Sequence, residues 1–154
     1  MKKNLFIKVS GDMCDQTNFF NYLKEMATKF FTVICVGGGT QINDALAERG
    51  IEAGPHGPMG RELPNFELRQ LARDVLEKNQ CRLQDKLAIL GIRAVVIIPT
   101  LEIGSVLCHV NGDQMVRTAY IGFDKLVVIT TTERVEKKSK EFSSLPKVEV
   151  IGLD

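Results

Sequence analysis

The chain has 154 residues, the length of a single domain, and with 44% hydrophobic and 25% charged residues its composition excludes disorder, collagen-like repeats and low-complexity sequence. Twenty Lys and Arg against nineteen Asp and Glu leave a formal charge of +1. That balance excludes the basic face of a nucleic-acid or anionic-membrane binder and requires any anionic ligand to be held locally. The longest apolar runs, Val33–Val36 and Ala94–Ile98, are far too short to cross a bilayer, and no signal-peptide core opens the sequence, so a cytoplasmic protein is expected.

Cys14, Cys35, Cys81 and Cys108 are dispersed without a Cys-x-x-Cys, and His56 and His109 are the only histidines. No metal site or redox pair is expected, and the thiols are read as reduced and mostly buried.

In chain order, Leu5–Val9 reads as a first strand, and Asn18–Lys29 carries Phe19, Tyr22, Leu23 and Met26 at helical spacing, with its cap within Asp15–Thr17. A second strand spans Phe31–Val36, the triple glycine Gly37–Gly39 breaks regular structure, and Thr40–Arg49 is a helix stopped by Gly50. The segment Gly50–Pro64, with four Gly, three Pro, His56 and Arg61, is a surface excursion whose conformation does not follow from its sequence. Leu68, Leu71, Ala72, Val75, Leu76, Leu83, Leu87 and Leu90 then mark one face of a long helix over Asn65–Leu90. At about 39 Å it would be longer than the domain needs to cover itself, so part of it is expected to meet another subunit.

Ala94–Ile98, rich in β-branched residues, reads as a buried strand of a parallel sheet covered on both faces, ended by Pro99. Ser105–Val110 is a shorter strand, Asp113–Gly122 a helix and Lys125–Thr130 another buried strand. Glu133–Ser144 is polar and charged, and reads as a solvated segment. Val148–Ile151 adds an edge strand. Alternating β and α segments predict a three-layer α/β/α sandwich with a mainly parallel central sheet.

Ligands of such sheets bind beyond the carboxyl ends of the strands, where helix N-termini present free N–H groups. Three junctions carry unusual residues there: Lys8-Val-Ser10-Gly11, Gly37-Gly38-Gly39 and Val110-Asn111-Gly-Asp113. The glycines let the backbone approach an anion, and Lys8 could neutralise a phosphoryl group. The loop is neither a Walker A sequence nor a dinucleotide fingerprint, because Gly-Lys-Ser/Thr is absent and Ile42 stands at the third glycine position. Glycine is also ordinary turn chemistry, Lys8 could reach solvent, Asp113 stands where a helix cap is expected, and His109 and Cys108 read as packing residues.

In their order and spacing these junctions resemble the amino acid kinase family, which includes acetylglutamate, aspartate, glutamate, carbamate and uridylate kinases. Phe6–Gly11 is similar to the family's opening strand with Lys-x-Gly-Gly-Ser, and Ile34–Asn43 to its second strand and triple-glycine loop. Val110–Gln114 followed by Asp124–Thr130 is similar to its Val-Asn-Ala-Asp-Gln helix and the strand after it. The resemblance implies that Lys8 and Asp113 are catalytic, Lys8 on the transferred phosphoryl group and Asp113 orienting the lysines. It assigns phosphate and acceptor contacts to Gly11, Gly37, Gly38 and Gly39, and Ser10 and Asn111 at the same junctions are candidate phosphate- or acceptor-binding residues with them. It also implies MgATP as phosphoryl donor, a carboxylate, carbamate or phosphate acceptor, and a homodimer near the 65–90 helix.

The chain departs from the family at Ser10, which replaces a glycine, at Asp12, which puts a carboxylate near the expected phosphate, and at Thr131 and Arg134. Typical members continue beyond the position of Asp154 for on the order of a hundred residues, the length of a small domain that holds the adenine pocket and a second catalytic lysine. The expectation is therefore one domain equivalent to the acceptor lobe, binding a small anionic ligand. The alternative is a compact or split ATP-dependent kinase, with Lys137, Lys138 or Lys140 replacing the second lysine or a partner subunit supplying the nucleotide lobe.

Overall fold

Short apolar runs alternate with amphipathic segments, and each forms an element of the computed structural model, which describes residues 1–154. The order is β1 (Lys3–Val9), α1 (Thr17–Lys29), β2 (Phe30–Val36), α2 (Gly39–Ala47), β3 (His56–Gly57), β4 (Gly60–Arg61), α3 (Phe66–Ile89), β5 (Val95–Ile97), β6 (Thr100–Ile103), β7 (Val106–His109), α4 (Gly112–Ala119), β8 (Lys125–Thr130), α5 (Val135–Glu141) and β9 (Val148–Gly152).

Leu5, Phe6, Ile7 and Val9 make β1 apolar on both faces, so it is stable only in the middle of a covered sheet. It pairs in parallel with β2 on one side and β8 on the other, and the five parallel strands run β5-β2-β1-β8-β9. Odd positions Leu5, Ile7 and Val9 pack with Phe19 and Leu23 of α1 and Leu83 and Leu87 of α3. Phe6 faces the opposite layer with Leu126, Val128, Val116 of α4 and Phe142 at the end of α5. Full burial of each such Leu, Ile or Phe contributes about 1.5–3 kcal/mol. A smaller core, with Ile42, Leu46, Leu71 and Leu76, fastens α2 to the first half of α3. The result is the three-layer α/β/α sandwich, Rossmann-like in its strand crossing, and its order reverses at β1.

Four segments differ from their sequence reading. The Ala94–Ile98 strand is an edge: β5 pairs only with β2, and Val95 is 45% exposed. β-Branched content reports a pleated, half-covered surface and does not distinguish edge from interior. The Ser105–Val110 strand is the second arm of an antiparallel hairpin, whose first arm, β6, starts directly after Pro99. The excursion Gly50–Pro64 contains a small hairpin, β3–β4. The charged Glu133–Ser144 segment holds α5 and buries Phe142 to 3% exposure, so one side of it is a packing surface.

Asn65 caps the long helix α3 by accepting a hydrogen bond from the Leu68 N–H at 2.9 Å. All four cysteines are free. Cys14 and Cys35 are buried, Cys108 is intermediate and Cys81 is exposed. No helix is long and apolar enough to cross a membrane.

Candidate functional site

Because side chains alternate along a strand, Lys8 follows Phe6 onto the α4 face of the sheet and not into solvent. It emerges beside the N-terminus of α4 in a cleft of 230 Å³ at the carboxyl edge of β1 and β2. Gly112 makes this approach possible. A Cβ there would stand 2.8 Å from Lys8 Cε and 3.0 Å from its Cγ.

Asp113 lies between two ammonium groups. Lys8 Nζ stands 3.6 Å from its Oδ1, an ion pair longer than a hydrogen bond, and Lys138 Nζ donates to its Oδ2 at 2.7 Å. Lys138, brought in by α5, also donates to Glu141 at 2.6 Å. Burial by itself would raise the Asp113 carboxyl, but Lys8 and Lys138 together outweigh it and hold the group below the usual carboxylate range. For Lys138 burial works against the charge, and its bonds to Asp113 and Glu141 outweigh that and keep it above the usual lysine value. Lys138 thus belongs to the site and not to a solvated face.

The glycine loop forms the floor. Gly37, Gly38 and Gly39 line the cleft with Ser10. Gly38 is the N-cap residue of α2 and has no side chain to satisfy the first-turn N–H groups, so the positive end of that helix is left for a ligand. Asn111 also lines the cleft, but its Oδ1 caps α4 by accepting from the Gln114 N–H at 2.7 Å, leaving only its NH₂ to bind.

Gly11 is not among the lining residues. Its Cα backs onto the loop, where a Cβ would meet the Gly37 carbonyl oxygen at 2.7 Å and Gln41 Oε1 at 2.6 Å, so close packing is what it permits. Asp12 is not among the residues that line the cleft. Its carboxylate turns to the first turn of α2, accepting from Thr40 Oγ1 and Gln41 Nε2 at 2.8 Å each.

The facing wall comes from the segment whose conformation the sequence left open. The turn of β3–β4 is tied to α4: the Asn111 N–H donates to Met59 O at 3.0 Å and Gln114 Nε2 to Pro58 O at 2.6 Å. His56 and Arg61 pair across the hairpin and both line the cleft, as does His109 at the end of β7. Arg61 is 6% exposed and forms no ion pair. Burial lowers its pKa, the signature of a cation without its counter-charge. His109 is pushed down to about 4 by burial first and then by Arg61 and His56, so it is neutral at pH 7, and its Nδ1 is buried without a partner.

The cleft therefore collects Lys8, Ser10, the three loop glycines, Asn111 and Asp113, and adds Arg61, His56, His109 and, behind Asp113, Lys138. Two features of the sequence stand at the additions: His56 and Arg61 in a Gly/Pro-rich excursion, and a lysine run after the last interior strand. No cluster of three His, Cys, Asp or Glu side chains suits a metal ion. No protein-family model matches the chain, and no curated protein matches it.

Proposed function

We propose that the protein binds a small anionic ligand, a carboxylate or phosphate, in this cleft, as an amino acid kinase-like domain. The observation that carries the proposal is Arg61: a residue only 6% exposed, with no carboxylate partner, lining a cleft that Lys8 and the N-terminus of α2 also line. A buried cation left unpaired is costly in the free protein, and an anion between Arg61, Lys8 and the loop N–H groups removes that cost through charge-assisted hydrogen bonds. The neutral His109 adds one orphaned ring nitrogen that a polar ligand atom can satisfy.

Calorimetry with inorganic phosphate and small carboxylates tests this. Binding of at least one is expected, weakened at least about tenfold in Arg61→Ala and in Lys8→Ala. Absence of binding for the whole panel at millimolar concentration would sink the reading.

One observation favours a second reading, ATP-dependent phosphoryl transfer to such a ligand. Asp113 holds two lysines in one chain of contacts, Lys8 in the cleft and Lys138 behind it. Phosphoryl transfer is mainly positioning plus neutralisation of charge on the equatorial oxygens, which Lys8 and the glycine loop suit. The chain's own residues offer no cage for Mg²⁺, so the metal would arrive on the nucleotide's phosphates. ADP production across amino acids, carbamate and nucleoside monophosphates, lost in Lys8→Ala, would establish it.

The same reading extends to a cytoplasmic homodimer through α3 and to a nucleotide-lobe subunit as an ATP-binding partner. Sedimentation at high concentration tests the dimer, and a monomeric mass would remove it.

A further inference from the structure

A cavity larger than the anion cleft lies outside it. It measures 580 Å³ and opens between the C-terminus of α2, the segment after β4 and the start of α3. Leu46, Ile51, Leu63 and Leu68 give it apolar walls, and Glu52 and Glu62 are the charged groups that line it. Neither carboxylate forms an ion pair within the fold. A concave apolar volume of this size with a few convergent polar groups has the form of a small-molecule site.

We infer that this cavity binds a small amphipathic cation, an apolar body carrying one protonated amine, with the amine facing Glu52 and Glu62. Charge complementarity selects that occupant: an anionic amphiphile would meet two unpaired carboxylates, and a neutral one would leave them unused. The site does not depend on the anion reading, because Glu52 and Glu62 lie outside the cleft.

The two cavities share a partition. Arg61 lines the cleft, Glu62 and Leu63 line the apolar cavity, and the Glu62 N–H donates to Pro55 O at 3.0 Å, joining both sides of the excursion. An occupant beside Glu62 and Leu63 therefore acts on the hairpin that presents His56 and Arg61. The coupling is reciprocal, as for any two ligands of one fold.

Titration of the full chain with phenylpropylamine, phenylpropanol and phenylpropanoate, followed by amide and imidazole NMR spectra, tests the site. The amine should bind at least about tenfold tighter than the alcohol, and the carboxylate should not bind. Glu52→Gln with Glu62→Gln should weaken the amine about tenfold and leave the alcohol unchanged, as expected for two exposed ion pairs. Both residues are exposed, so the double variant keeps the core intact. Saturation with amine should shift the ring signals of His56 and His109. Equal affinity of amine and alcohol, undiminished amine binding in the double variant, or no binding by the amine would overturn the inference. A protein dimer that the amine dissociates would also overturn it, by assigning the cavity to a second copy of the chain.

Discussion

Asp113 accounts for more of the site's electrostatics than any other residue, because it faces Lys8 and Lys138 together. Asp113→Asn leaves the Lys8 ammonium without a counter-charge and Lys138 with Glu141 alone, and is expected to destabilise the fold by about 1–3 kcal/mol in urea unfolding. The native carboxyl sits below its ordinary value of 3.8. It therefore stabilises the fold above that pH, and the contribution is lost as pH falls through the lower folded value, a limb that the Asn variant should lack. His109 works in a different window. Its folded value of about 4 lies below the ordinary 6.5, so the unfolded chain binds the extra proton and stability falls as pH drops from 6.5 towards 4. His109→Gln should flatten that slope in unfolding curves taken across the window. Lys8 was legible as a residue because it interrupts an apolar strand, whereas Asp113, an acid where a helix cap is expected, was singled out by the family resemblance. Arg61 was not legible, since a charged residue among Gly and Pro has the composition of any exposed loop, and only the tie of that loop to α4 turns it inward.

At the scale of elements, the caps and periods were readable. Asn65 and Asn111 cap α3 and α4 through their side chains, and Asn65→Ala should cost about 1 kcal/mol in chemical unfolding. Helix α5 was not readable, because six of its seven residues are polar or charged and Val135 alone makes no apolar period. It is held instead by Phe142, which follows it into the core beside Phe6 and Val116. Phe142→Ala should cost about 3–5 kcal/mol and detach Lys138 from Asp113, which a change in the acid limb of the stability profile would register. Strand β5 shows the complementary error. Its residue types suit an interior strand, but its position is decided by which neighbours remain after β2 has paired with β1.

For the whole molecule, a formal charge of +1 means that little long-range field draws anions in, and attraction is confined to the cleft. Replacing the exposed Lys24 and Lys137 by Gln should leave phosphate affinity within about twofold, whereas Arg61→Gln should cost about tenfold, both measurable by calorimetry. The sequence by itself determined the class of the fold, the order of most elements and one wall of the cleft. Hydrophobic period, glycine and cap residues are local properties, and Lys8, Gly37–Gly39 and Asp113 each stand at a strand-to-helix junction whose position those local properties set. Tertiary structure alone decided the opposite wall and the lysine behind Asp113. Arg61, His56, His109 and Lys138 come from separate hairpins and a short helix, and they meet only because the β3–β4 turn bonds to α4 and Phe142 enters the core. Contacts between such distant segments leave no periodic trace in the chain, since each is fixed by packing and hydrogen bonds that exist only once the sheet has formed.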